Sequence, residues 1–234
     1  MQKGCNGHQT PPRSPPNKFG FVVRVPPPNQ FQIKMQKAIL DACKAISVTF
    51  PRDSDGRIVS AVKESEYLEK LGYALPSTFQ FKISKPRDWY DFQCGGVPFN
   101  LKLTNCAKTC DNAFNKAAVI YSVTGRIPRY KNMCFNKFWS QIKEAPWDDI
   151  PGREYHYLVV NKLTGDVLIK SIFDVQNYMP NPCNIMQINW SKEFEARDYK
   201  AENITEKKKE LLRCIQKSIQ ASINSQQEFA QADI

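Results

Sequence analysis

The stretch 89–104, Trp-Tyr-Asp-Phe-Gln-Cys-Gly-Gly-Val-Pro-Phe-Asn-Leu-Lys-Leu-Thr, constrains the fold more than any other. Gly95-Gly96 separates two β-rich runs. Tight hairpin turns need positive φ, which glycine adopts freely, so the stretch predicts two antiparallel strands. In the second run Val97, Phe99, Leu101 and Leu103 alternate with Pro98, Asn100, Lys102 and Thr104. Strand side chains change face with every residue. One face is therefore apolar and buried. The other carries Asn100 and Lys102, with Asp91 arriving from the neighbouring strand.

Periodicity places the remaining elements around this hairpin. Residues 31–47 predict a helix whose apolar face is Phe31, Met35, Ile39, Ala42, Cys43 and Ile46. Residues 57–71 predict a second helix, with Ile58, Ala61, Val62, Ser65 and Leu68 as its stripe. Alternation of Phe79, Phe81 and Ile83 predicts a strand over 78–83. Residues 111–123 predict a helix capped by Asp111 and ended by Gly125. A further helix is expected over 133–145, then strands at 154–161 and 166–173 joined by a turn at 162–165. A polar, Pro-rich loop follows at 177–184 and a strand at 185–190. A closing helix over 204–223 carries Leu211, Leu212, Ile215, Ile219 and Ile223 as its stripe, with Lys207-Lys208-Lys209 as a solvated opening turn. The expected class is α/β, a central mixed sheet of five or six strands flanked by helices. The expected organisation is a basic, Pro-rich arm (1–30), one domain (31–224) and a tail (225–234).

Composition limits the functions open to such a domain. The formal charge of +10 and pI of about 9.2 favour a polyanionic partner. Mean hydropathy is −0.51, and no apolar run approaches the roughly 20 residues a membrane helix needs. The N-terminus lacks the apolar core of a secretory signal, so a cytoplasmic protein is expected. The eight cysteines do not read as a disulfide framework, because the chain is neither small nor visibly secreted. Cys106 and Cys110 are the one close pair, and His8 and His156 are the two histidines, which argues against structural zinc and against histidine-based hydrolysis.

The polar face of the hairpin points to phosphodiester chemistry. Asp91 and Asn100 offer oxygen to a hard cation. Lys102 can orient water or neutralise developing negative charge. Asp88, at the strand entrance, is the second choice to Asp91. This arrangement resembles the PD-(D/E)XK nuclease superfamily, and within it the type II restriction endonucleases. The family pattern is an acid, a short gap, then Asp/Glu-X-Lys. Here it reads Asp91, then Asn100-Leu101-Lys102, with an amide where most members carry a carboxylate. The flanking segments Trp-Tyr-Asp-Phe, Pro-Phe-Asn-Leu-Lys, Asp-Asn-Ala-Phe-Asn-Lys and Gln-Ile-Asn-Trp also look like those enzymes, so the likeness spans roughly residues 31–200.

The resemblance implies a Mg²⁺-dependent homodimer that cuts double-stranded DNA at a short sequence and leaves 5′-phosphates. It implies a further acid from the preceding helix. Ser60-Ala61-Val62-Lys63-Glu64 looks family-like and suggests Glu64, whereas periodicity leaves Glu69 equally open. The expected catalytic set is Asp91, Asn100, Lys102 and Glu64, with Asp91, Asn100 and Glu64 as metal ligands. Expected DNA contacts are Asn112, Asn115 and Lys116 at a helix N-terminus, Arg126 in a basic loop, Gln187 and Asn189 on a strand, and Lys192 and Arg197 in a recognition loop at 191–199. Two alternatives remain: a non-catalytic DNA-binding protein of the same fold, and a repair or junction nuclease.

Overall fold

Gly95 and Gly96 both have positive φ, 57° and 79°, and close a two-residue hairpin between β2 (Phe92–Cys94) and β3 (Val97–Thr104). Gly95 also has no room for a side chain. A Cβ there would lie 2.7 Å from the Phe31 ring and 3.0 Å from Met35 Sδ. The turn is thus pressed against the first helix, α1 (Gln30–Ala45). This computed structural model describes residues 30–47, 56–106, 111–112, 114–130, 133–145, 154–181, 185–196 and 204–231. The expected arm at 1–29 lies outside them.

The hairpin sits inside a five-stranded mixed sheet of order β1-β2-β3-β5-β6. β1 (Lys82–Ile83), β2 and β3 run antiparallel. β5 (His156–Asn161) lies parallel to β3, and β6 (Val167–Ser171) returns antiparallel to β5. Parallel neighbours need a crossover, supplied here by α3 (Lys116–Thr124) and α4 (Phe135–Glu144).

Period two then builds two cores. Phe99, Leu101 and Leu103 join Leu158 and Val160 under α1 and α2 (Gly56–Ala74). Tyr155, Tyr157 and Val159 face the other way, against α3, α4 and the long α6 (Ile204–Ala230). A second sheet of order β4-β8-β7 covers this side: β4 (Asp111–Asn112), β8 (Ile185–Ile188) and β7 (Tyr178–Asn181). α5 (Trp190–Glu195) follows, with Trp190 buried. Among the described residues there are six α-helices, and none is long and apolar enough to cross a membrane.

Several expectations need correction. The strand expected over 78–83 is a 3₁₀ turn at Ser77–Phe79 followed by the short β1. Gln80 takes a left-handed φ of 48°, which breaks extension, and the Phe79 carbonyl accepts the Gly95 N–H. The α2 stripe is rotated from the expected one. Tyr67, Leu68, Leu71 and Leu75 are buried while Val62 is 62% exposed, because the larger side chains at i, i+4 and i+8 bury more apolar area. Residues 111–112 are a strand paired with β8, and Asn115, not Asp111, is the N-cap of α3. Tyr178–Asn181, expected as loop, pairs with β8. The closing helix continues to Ala230. Its lysines are not simply solvated: Lys208 is buried, Lys207 pairs with Asp174, and Lys209 reaches Glu206.

Candidate functional site

Asp91 stands immediately before β2, beside Asn100 on the adjoining strand. Its N–H donates to the Phe99 carbonyl at 2.8 Å. Its Oδ2 accepts the Leu101 N–H at 2.7 Å and Asn100 Nδ2 at 2.6 Å. The carboxylate therefore replaces a backbone acceptor in the ladder and locks the amide of Asn100. Among the described residues Oδ1 of Asp91 takes no hydrogen bond. Lys102 follows on the same face, half-exposed, and makes no ion pair with Asp91 or Glu64.

Glu64 comes from α2, on the other side of the sheet, yet its charge acts on Lys102, Asp91 and Lys162. It is half-buried, whereas Glu69 is exposed and Glu66 is engaged by Lys63 and Lys70. Burial and the neighbouring charges favour Glu64 over the exposed Glu69 as the acid of this set. Asp88 is spent on its own turn, where Oδ2 accepts the Lys85 N–H at 3.2 Å.

Burial raises the pKa of both acids. For Glu64 it outweighs the opposing pull of Lys102, and the nearby Asp91 charge raises it further. For Asp91 it outweighs the Leu101 N–H and Lys102. A carboxyl that holds its proton more tightly when folded stabilises the fold at low pH. That contribution fades as pH rises from the ordinary carboxylate range through the raised values. The metal-free protein is therefore expected to lose stability across that window, and Mg²⁺ is expected to restore it at the upper end. Thermal melts against pH check this: a Glu64→Gln/Asp91→Asn double variant should show neither the decline nor the rescue.

The donor chemistry fits a hard divalent cation. Asp91 Oδ1, the Glu64 carboxylate and the Asn100 carbonyl are all oxygen, and Mg²⁺ is ordinarily held by one or two carboxylates plus water and phosphate. Among the described residues no three His, Cys, Asp or Glu side chains gather as a metal group, so the amide would have to serve as the third donor.

A cavity of about 160 Å³ opens beside Asn100 and Lys102, lined also by Asn112, Phe114, Asn115, Tyr155 and Tyr157. Tyr155 and Tyr157 are buried and form its floor. Asn115 has a structural task there. Its Oδ1 accepts the N–H groups of Ala117 and Ala118, and its Nδ2 donates to the Trp89 carbonyl at 2.8 Å. That holds the segment leading into Asp91 against α3. It also occupies N–H groups expected to receive phosphate. Lys116 Nζ is likewise committed, to the Met133 carbonyl at 2.9 Å.

The other expected DNA contacts are scattered. Asn112 is exposed on the cavity wall, opposite the half-buried Gln187 in the β4–β8 register. Arg126 follows the C-terminal end of α3, away from the Asn115 end. Asn189 caps α5 by accepting the Lys192 N–H at 3.1 Å, and Lys192 is exposed. The expected recognition loop is partly that helix, and Arg197 lies outside the described residues. Sequence reasoning misses Tyr155 and Tyr157. No local signal marks them, because they reach the site through the parallel pairing of β5 with β3. Comparison with protein-family models, curated proteins and solved structures finds no match for the chain.

Proposed function

We propose that the protein is a Mg²⁺-dependent endonuclease acting on double-stranded DNA, of the restriction-endonuclease-like type, working as a homodimer in the cytoplasm. One observation carries the reading. Asp91, Asn100 and Lys102 share one end of a hairpin beside an open polar cavity, with the charge of Glu64 within reach. The basic surplus of the chain supports a nucleic-acid substrate.

Asp91, Glu64 and Asn100 would hold the cation, which when bound supplies Lewis-acid polarisation and a more acidic water. Lys102 carries the rest of the electrostatic work. It holds the attacking water in line with the phosphorus and neutralises charge gathering on the non-bridging oxygens. The 3′ oxygen leaves, so the product bears a 5′-phosphate. Two-fold symmetry would bring one such site to each strand of a palindromic sequence.

Asn100 also favours a second reading, a DNA-binding protein of the same fold that no longer cuts. The test is a plasmid incubated with and without Mg²⁺, for the natural protein and for Asn100→Asp. Metal-dependent discrete fragments support the nuclease. In that case Asn100→Asp is expected to lower the Mg²⁺ needed for half-maximal cleavage by about tenfold, because a third negative ligand tightens the site. Uncut plasmid together with salt-sensitive retention of DNA selects the binding protein.

A further inference from the structure

We propose that Tyr155 is a further catalytic residue of this site, its hydroxyl donating a hydrogen bond to a non-bridging oxygen of the scissile phosphate beside Lys102. The inference rests on the nuclease reading and deepens it. The sheet sets its position and face. β5 lies parallel to β3, with Asn100 opposite Tyr157 and Lys102 opposite Val159. Residues two apart on an extended chain share a face, and Tyr155, Tyr157 and Val159 lie in one core cluster on that side. Tyr155 accordingly lines the same cavity as Asn100 and Lys102, and is otherwise buried. Its place is fixed by backbone and ring together. The N–H donates to Ser122 Oγ at 2.9 Å, and the carbonyl accepts the Ile172 N–H at 2.8 Å. The ring stacks on Trp89 at 5.9 Å and meets Tyr157 edge-on at 5.4 Å.

Asn115, another residue of the cavity wall, locates the hydroxyl end. Its Oδ1 is taken by the Ala117 and Ala118 N–H groups, so the amide turns Nδ2 towards the Trp89 carbonyl and the Tyr155 hydroxyl, which accepts from it. A hydroxyl that accepts still has its own hydrogen to give. Burial, then the neighbouring Tyr157 and Asp91, hold the phenol well above its ordinary pKa against the opposing pull of Asn115. The group is therefore a neutral donor at any working pH. The cavity measures about 160 Å³, and a water takes roughly 30 Å³ in the liquid, so it holds the few waters that phosphate oxygens would displace. A phosphate oxygen there meets the field of Asp91, and it gains charge as water attacks. A fixed donor without charge of its own offsets that repulsion and stabilises the transition state with no reorganisation.

The experiment uses Tyr155→Phe, which keeps the ring on Trp89 and removes only the hydroxyl. Binding of a fluorescently labelled duplex oligonucleotide to the metal-free, full-length variant is expected to weaken about tenfold at every salt concentration. The slope of log K against log salt should not change, because a neutral donor releases no counterion. With Mg²⁺, kcat for cleavage of the duplex is expected to fall about 10²-fold while the melting temperature stays near the natural one. Sulfur in place of each non-bridging oxygen at the scissile position identifies the contact. For one diastereomer the losses from sulfur and from Tyr155→Phe should not add, which a merely structural role does not produce. Natural binding and cleavage in the variant, or losses that add for both diastereomers, overturn the proposal. So does a variant whose activity falls only in step with its melting temperature, or a natural protein that does not bind the duplex. A natural protein that binds but never cuts, with the tenfold loss still seen in the variant at an unchanged slope, overturns the nuclease reading alone and leaves the phosphate contact standing.

Discussion

Lys102→Ala is expected to lower the rate of plasmid cleavage by about 10²–10³-fold, the usual consequence of deleting one aimed electrostatic group from an active site. The effect should fall on kcat. Lys102 is half-exposed on the polar face of β3, and among the described residues its ammonium makes no ion pair with either acid, so the fold loses little when it is removed. One exposed phosphate contact among several should cost binding only modestly. Melting temperature should stay near that of the natural protein, with cleavage all but gone. An equal loss of cleavage and stability would mean that Lys102 serves the sheet and not the reaction. Cleavage at the natural rate would remove the hairpin from the mechanism altogether.

The amide at position 100 makes the same argument from the other side. Asn100 Nδ2 lies 2.6 Å from an Asp91 oxygen. A carboxylate at that place would set two like charges at hydrogen-bond distance, and they could not both ionise without a cation between them. Asn lets the metal-free site close on itself. What it gives up is one negative charge toward the cation.

The hairpin is legible in the sequence because everything that specifies it is local. Two glycines, an eight-residue alternation and an acid nine positions before Asn100 need no partner elsewhere in the chain. The long helices are legible for the same reason, since periodicity survives any tertiary context. What is not legible is the choice between near-equal local solutions. On α2 two apolar stripes compete, and Tyr67, Leu71 and Leu75 win by packing on Phe99 and Leu101. Asp111 reads as a helix cap until β8, more than seventy residues later, claims it as a strand partner. Each of these is settled by a non-local contact, and the candidate site draws the floor of its cavity from such contacts.

The largest stability effect is expected at Glu193, where Glu193→Ala should destabilise the protein by about 3–5 kcal/mol. Glu193 on α5 is buried, and so is its partner Lys170 on β6, at 2.8 Å. The second carboxylate oxygen accepts the N–H of Gln176, the N–H of Asn177 and the Asn177 side-chain amide, at 2.8, 2.5 and 2.8 Å. Alanine would strand a buried ammonium and three donors together. Lys170→Met is expected to cost clearly less, because the carboxylate keeps those three N–H donors and methionine fills the lysine's volume. This asymmetry distinguishes an anion-centred network from a plain ion pair, for which the two single substitutions would cost about the same. Urea melts of both single variants and of the double variant give the coupling directly. The network also reaches the site: residues 176–177 lead directly into β7, β7 aligns β8, and β8 holds Asn112 on the cavity wall. A mildly destabilised Glu193 variant, assayed well below its melting temperature, should therefore still bind DNA and still keep Lys102 in place. Cleavage should fall only as far as the cavity wall loosens.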